Sequence, residues 1–526
     1  MSRERVLLLG ASGTMGYAAF KELWQRRSRY DLVILVRPSE RNKRLFRPYE
    51  HETGITPVPG RGVAEGDGLK IVWGDAIEYG DVEAAVEGVD WVLNAMAFIS
   101  PQADYYPDVA KAVNRDAILN IIRAIEAEPN GTEHIKLIHT GTVAETGDRL
   151  GGIHWGRVGD PLKPSIFDYY AVTKIAGERA VLESSIEHWA SLRMTFIMPT
   201  DYRDYTSLQD PILFHQPLGT FMENLSDRDA GYGLVNSLDI PEESDFWRRV
   251  YNMGGGPGMR CTAYEYANTS FQAMGLSGIE ACAERNWFAL RNFHMQYYED
   301  SHLLNDYLHY WRDDMDSYWQ ALRAGMPSGM RILALLCRRV PVVRKQVEKA
   351  TYQRMGQWAE NHRNGTAYWY RQRCDDRIKA FYKDYETYEA IPAWGVDMPQ
   401  CDPEPEWHRL DHGYDESKED LDLADLQGAA RFRGGECLSS AWDGELYSTL
   451  TWRCGLGHEF TAKPHTVLKT GHWCPVCVAP PWNFDAIARG NPFFAQVWAP
   501  NHGEDEDNFY PEDCLQDIAG ADRDRG

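Results

Sequence analysis

At 526 residues the chain is too long for one ordinary hydrophobic core, and about two to four domains are expected. Its 55 basic against 78 acidic residues give a formal charge of -23, which repels phosphate backbones and argues against a broad nucleic-acid surface. Ten cysteines in so long a chain, four of them between 437 and 477, fit a reducing cytoplasm and one metal site better than a disulfide framework.

The opening MSRERVLLLGASG has a charged start, a short apolar run and then glycines, so it reads as a buried strand and not as a signal peptide. No apolar run is long enough to span a bilayer, and a cytoplasmic protein without a membrane partner is expected. Over the first 200 residues, short apolar runs alternate with helical patterns. The runs are VLLLG (6–10), LVILV (32–36), KIVWG (70–74), DWVLNAMA (90–97), IKLIHTG (135–141) and RMTFIMP (193–199). Continuous apolar strands are what a parallel sheet needs when helices cover both faces. Helical patterns follow at 17–27, 117–128 and 170–185, giving the βαβ series of a Rossmann-type doubly wound α/β fold.

From about residue 280 to 425 the chain becomes rich in Trp, Tyr and Arg at helical spacing, which predicts several helices with their rings mostly in a core. An acidic, proline-rich connector, VDMPQCDPEPEW (396–407), separates this part from the C-terminal segment. The end of the chain, HGEDEDNFYPEDCLQDIAGADRDRG, reads as a solvated acidic tail. The expected division is a dinucleotide-binding domain at 1–278, an aromatic helical region at 279–425, a small zinc-binding module at 426–482 and a tail at 483–526.

The turn GASGTMG places Gly10, Gly13 and Gly16 between the first strand and the first helix. Gly10 permits the tight turn, Gly13 lets the backbone approach a pyrophosphate, and Gly16 allows the helix to lie close to the sheet. At the end of the second strand, LVRPSERNKR offers Arg37 and no acidic residue at the strand tip. Arginine suits a ribose 2′-phosphate, so NADP is favoured over NAD. Asp75, in WGDA, is placed to meet the adenine or to cap a helix.

FDYYAVTKIAGE carries Tyr170 and Lys174 one helical turn apart. A phenol ionises near pH ~10, and a nearby ammonium stabilises its phenolate, so the pair can act as a proton donor and acceptor. IHTGTVAETG supplies Thr140 and Thr142 at a strand tip, where a hydroxyl can polarise a substrate oxygen.

Together GASGTMG, WGDA, GVDWVLNAMA, VNRDAILNII, IHTGTVAETG, YYAVTK and VYNMGGG resemble the extended short-chain dehydrogenase/reductase family of nucleoside-sugar epimerases and dehydratases. The resemblance covers about the first 275 residues. It implies that Tyr170 is the general acid or base, that Lys174 also binds the nicotinamide ribose and that Thr142 holds the substrate oxygen. It further implies a dinucleotide cradle made of Gly10, Ser12, Gly13, Thr14, Met15, Gly16, Arg37, Asp75, Ala95, Met96, Ala97, Thr140, Tyr170, Lys174 and Pro199, with Asn114 a weaker, more structural match. The sugar-nucleotide 4,6-dehydratases of this family carry Thr-Asp-Glu where this chain has Thr142, Val143 and Ala144. Without those two carboxyl groups, elimination of water is not expected. Thr146 also stands where many relatives have tyrosine.

The leading expectation is an NAD(P)-dependent oxidoreductase that moves hydride between nicotinamide and a carbonyl or alcohol carbon of a small substrate, with a bulky apolar or ring-containing compound suited to the aromatic middle. A nucleoside-sugar epimerase using the same Tyr and Lys is the alternative. A dinucleotide-sensing regulator with a nucleic-acid-binding zinc module is the third reading. Family members often pair through helices, so a homodimer is expected.

Near the C-terminus, Cys454-x3-His458 and Cys474-x2-Cys477 offer three thiolates and one imidazole, a closed tetrahedral set for structural zinc. Cys437 competes with His458 for the fourth place. The segment resembles zinc-ribbon or treble-clef modules. Its few cations, Lys463 and Lys469 with His465 and His472, favour a structural clip over a nucleic-acid finger.

Overall fold

The computed structural model describes residues 3–149, 152–153, 155–207, 209–395 and 408–512. The connector 396–407 and the last part of the expected tail, 513–526, lie outside these residues.

The N-terminal part is built on one eight-stranded sheet: β1 Glu4–Leu9, β2 Tyr30–Val36, β3 Gly62–Gly66, β4 Leu69–Trp73, β5 Trp91–Asn94, β6 Lys136–Thr142, β7 Trp189–Met194 and β8 Arg249–Met253. The strand order is β8-β7-β6-β5-β1-β2-β4-β3, and only β3 runs antiparallel to its neighbour. Alternate residues of β1 enter opposite cores: Val6 and Leu8 join Phe20, Leu23 and Phe46 on one face, while Leu7 and Leu9 join Val82, Ile118 and Ile121 on the other. Two covered faces explain why the strands read as unbroken apolar runs. The chain order reverses between β1 and β5, so the loops after these strands meet at the switch point of the sheet, where doubly wound folds bind ligands.

Two strands depart from the apolar runs. The sixth run predicted a strand over 193–199, but the strand is Trp189–Met194. Its small and polar residues, Ala190, Ser191 and Arg193, hide it from a search for aliphatic residues, and Arg193 is buried because Glu178 neutralises it. After Met194 the chain leaves the sheet, and Ile197–Met198 pairs instead with Leu225–Ser226. The edge strand β3, GVAEG, carries little apolar signal and is held by β4 alone.

The middle region folds into helices, among them Ser301–Leu308, Met315–Gly325, Ser328–Arg339, Pro341–Ala359, Thr366–Gln372 and Asp375–Tyr382. Its aromatic rings do pack inward: Trp369, Phe381 and Tyr382 share a cluster with Phe167 and Tyr169 from the N-terminal part. Beyond it, Glu436–Cys437, Leu450–Arg453 and Glu459–Ala462 form a three-stranded antiparallel sheet followed by helix Pro464–Lys469.

Residues 484–512, which acidic composition assigns to a solvated tail, are folded. They include helices Phe484–Gly490 and Pro492–Trp498. Phe484, Phe494 and Trp498 are buried in the same cluster as Trp369, and Glu506 pairs with buried Arg291 at 2.6 Å. Acidic residues between the rings mask this core, since each aromatic side chain can bury on the order of 150–250 Å² and outweighs several surface carboxylates.

Candidate active site and metal cluster

The turn after β1 has the expected geometry. Gly10 adopts φ +80°, and a Cβ there would lie 2.5 Å from the Ala95 carbonyl oxygen, so glycine is required where the β1 and β5 loops meet. A Cβ on Gly16 would fall 2.0 Å from the Gly10 oxygen, which confirms close packing of helix and turn. Gly13 differs: it is exposed and its missing Cβ would meet only the Gly10 oxygen, at 3.4 Å, leaving open space in front of the turn. Gly13 also stands at the N-cap of helix Thr14–Gln25 with no side chain capping that helix. Uncapped first-turn amides beside an open glycine suit an anion, so the residues present fit a dinucleotide pyrophosphate.

Ser12, Thr14 and Met15 line this turn, and Ala95, Met96 and Ala97 continue β5 opposite it. The Met96 amide donates to the Asn94 side chain at 3.3 Å. Arg37 follows β2 and is exposed, with its carbonyl held by the Asn42 side chain at 2.9 Å. Asp75 serves its own turn: its carboxylate accepts the Ile77 amide at 3.3 Å, and its amide donates to Asp81 at 2.8 Å. Pro199 is half-buried, its carbonyl accepting the Tyr318 hydroxyl at 3.1 Å.

Tyr170 and Lys174 sit on helix Tyr169–Leu182, which is started by Asp168 accepting the Ala171 amide at 2.8 Å. Thr142, at the tip of β6, hydrogen-bonds the Tyr170 phenol. The structure thus brings Tyr170 to Thr142, with Lys174 one turn further along the helix. Burial raises the phenol above its ordinary range, and the Thr142 hydrogen bond only partly opposes this. Lys174 is buried and its ammonium donates to the Thr140 carbonyl. Burial lowers it to about 8, against the opposing pull of Glu145 and Glu178. The lysine therefore faces the carbonyl end of β6, while the tyrosine retains its proton at neutral pH. The Thr140 hydroxyl is engaged as well, donating to the Asn94 carbonyl at 3.0 Å and tying β6 to β5.

Asn114 lies in a π-helical turn, Ala112–Asp116, and is fully built in. It accepts from the Phe98 amide at 2.7 Å and donates to the Phe98 carbonyl at 2.9 Å and to Thr173 at 3.0 Å. Its carbonyl touches helix Tyr169–Leu182 so closely that a Cβ on Gly177 would lie 2.2 Å away. Such turns gather at functional sites.

Three charged residues beneath Lys174 escaped the motif reading. Glu178, Glu145 and Arg193 are all buried, with Arg193 2.6 Å from Glu178 and 3.3 Å from Glu145. The Arg193 guanidinium draws Glu178 well below the usual carboxylate range despite its burial, whereas burial and the neighbouring negative charge of Glu178 push Glu145 well above it. The signal was available: Glu178 lies one turn beyond Lys174 on the same helix. Beside the N-terminal end of that helix, a cavity is lined by Asp104, Asp168, Asn292, Asn364, Arg377 and Phe381, so the middle region reaches the start of the helix.

In the C-terminal module, Cys454, His458, Cys474 and Cys477 place their ligand atoms within 4.8 Å of one another. The Sγ atoms of Cys454 and Cys477 are 3.7 Å apart, and His458 Nδ1 lies 3.3, 3.6 and 3.5 Å from the sulfurs of Cys454, Cys474 and Cys477. Tetrahedral zinc bonds of ~2.3 Å to sulfur and ~2.0 Å to nitrogen would set edges of about 3.8 and 3.5 Å, so the set fits a zinc-sized ion. Cys437 instead packs with Leu426 and Trp452 in the module core.

The module is fastened to helix Tyr169–Leu182. His472 bonds Glu178 at 2.9 Å, and Arg179 donates to the carbonyls of Trp473 at 2.9 Å and Thr461 at 3.0 Å. Lys463 donates to the Leu182 and Ser184 carbonyls at 3.0 and 2.8 Å, at the helix C-terminus. Trp452, His465 and His472 are buried, so these side chains of the would-be finger point into the protein.

Residues 6–202 match the sequence model of the NAD dependent epimerase/dehydratase family. No curated protein matches the chain. Remote likenesses among solved structures include a dTDP-glucose 4,6-dehydratase from Bacillus anthracis in complex with NAD, at 14% identity over 61% of this chain and 96% of that one, with a TM-score of 0.45. DesIV, a dTDP-glucose 4,6-dehydratase from Streptomyces venezuelae, gives 16%, 61%, 96% and 0.44 on the same measures. WbmG from Bordetella bronchiseptica, in complex with NAD, gives 15%, 62%, 94% and 0.43. The stretch 6–202 is thus similar in sequence to the NAD dependent epimerase/dehydratase family, and it folds as a doubly wound sheet.

Proposed function

We propose that the protein is an NAD(P)-dependent oxidoreductase that reduces a carbonyl to an alcohol, with Tyr170 as the proton donor. What supports this reading is Tyr170 facing Thr142 at the tip of β6, with burial keeping the phenol protonated, and a glycine turn after β1 that leaves open space for a pyrophosphate. A bound reduced nicotinamide would supply hydride. Thr142, which faces the phenol, would hold the substrate oxygen, and Tyr170 would deliver the proton to it. Lys174 would bind the nicotinamide ribose, and Arg37, exposed beyond β2, would meet a ribose 2′-phosphate, favouring NADP. Val143 and Ala144, both buried and apolar, supply no carboxyl group for eliminating water.

The cavity beside Asp168 mixes polar side chains, Asp104, Asn292 and Arg377, with the apolar Ile166, Phe167 and Phe381. The Cys454, His458, Cys474 and Cys477 set would hold structural zinc, because four protein ligands leave no open position. The test is a panel of ketones, alcohols and nucleoside sugars followed by absorbance of the reduced cofactor, with NADPH and NADH compared. Net oxidation of NADPH by a ketone supports the reading. Sugar interconversion with no net redox change would replace it with epimerisation.

A further inference from the structure

Helix Ser328–Arg339 is joined through Val340 to helix Pro341–Ala359, and the two pack against each other as a hairpin. The hairpin is anchored on one side only. Ala334 and Cys337 are buried, a Cβ on Gly275 would meet the Ala334 oxygen at 2.3 Å, and Arg338 donates to the Ala273 carbonyl at 3.0 Å. Further along, Met355 and Ala359 enter a core with Phe214 and Trp287.

The other side is apolar and exposed. Met330, Ile332, Leu335, Leu336, Val340 and Val342 are 37, 60, 46, 43, 39 and 70% exposed. These six fall within 13 consecutive residues, whereas the remaining exposed large apolar side chains are scattered over the described chain. Scattered apolar residues are ordinary on a surface, but a contiguous group marks an interaction site.

Charge identifies what covers this side. Between residues 328 and 349 the sequence carries six cations, Arg331, Arg338, Arg339, Arg344, Lys345 and Lys349, against one carboxylate, Glu348, in a chain whose formal charge is -23. That carboxylate is itself buried and accepts the Ser277 amide at 2.8 Å. Apolar side chains flanked by cations match the boundary of an anionic bilayer, where Lys and Arg are attracted to the headgroups. A second copy docking by two-fold symmetry would bring the same cations face to face. At 12 residues the first helix is too short to cross a membrane, and no described helix is long and apolar enough to do so.

We propose that the tip of this hairpin, residues 330–345, docks the protein peripherally on an anionic lipid surface, with the apolar side chains inserted and the cations at the headgroups.

The test is sedimentation of the full chain with vesicles of equal parts phosphatidylglycerol and phosphatidylcholine, against vesicles of phosphatidylcholine alone. Binding should require the anionic lipid, weaken with salt and fall by about tenfold or more in Ile332→Glu/Leu336→Glu. A second variant, Arg339→Glu/Lys345→Glu, leaves the apolar side chains intact and should lose binding as well. Unchanged thermal unfolding in either variant keeps its loss of binding attributable to the surface. No binding by the wild-type chain, or equal binding to neutral vesicles, overturns the proposal. So does a concentration-dependent dimer that is disrupted by Leu336→Glu and does not bind vesicles, since the patch would then be a subunit contact.

Discussion

The first helix and the metal module are both announced by short spacings in the sequence, but they treat their polar groups in opposite ways. Helix Thr14–Gln25 starts without a capping side chain, beside a glycine that leaves open space. The module directs Lys463, His472 and the carbonyls of Thr461, Thr470 and Trp473 onto the N-terminal domain, where Glu178, Arg179, Arg193 and the end of helix Tyr169–Leu182 receive them. Open hydrogen-bonding groups mark a place for a ligand; groups satisfied across an interface mark a clamp. The module therefore packs on the helix that carries Tyr170 and Lys174 and satisfies polar groups along it.

The sharpest way to break this comparison is at the shared carboxylate. Glu178→Leu leaves Arg193 and His472 facing each other in the interior and should cost about 3–5 kcal/mol of stability, read as a lowered Tm. A change within about 0.5 kcal/mol would mean that the network does not clamp the domains. Next, metal analysis should find zinc bound, and a strong chelator or Cys477→Ser should lower Tm and slow turnover together, because the module supports the helix. Loss of zinc with unchanged turnover would confine the module to its own stability.

Smaller effects separate the cofactor groups. Arg37→Ser should weaken NADPH about tenfold while leaving NADH nearly unchanged, an effect of about 1.4 kcal/mol. Equal weakening of both would remove Arg37 from the 2′-phosphate site. Cofactor affinity should also fall as pH rises through about 8, because burial holds the Lys174 ammonium near that value. The direction comes from the lowered lysine: the charged form dominates below about 8 and the neutral amine above it. Lys174→Met should bind weakly at every pH, without that limb.

The sheet and the helix pairing of Tyr170 with Lys174 are legible in the sequence because both follow local periodicity. The sixth long strand is obscured because Arg193 and Ser191 are buried by a partner, Glu178, that lies earlier in the chain. Residues 484–512 are read as a tail because their carboxylates lie close in sequence, whereas their rings, Phe484, Phe494 and Trp498, pack on one another and join a cluster with Phe167 and Trp369 from distant segments. The cluster of Cys454, His458, Cys474 and Cys477 is legible from spacing alone. The module's link to helix Tyr169–Leu182 is not, since His472 and Glu178 are 294 positions apart.

Tyr170→Phe gives the most direct test of the central claim, because it removes only the proton donor and preserves the ring. Turnover should fall by about 10²–10⁴-fold or more while the cofactor dissociation constant stays within about threefold. Turnover close to that of the unaltered protein would contradict the assignment of Tyr170 as proton donor.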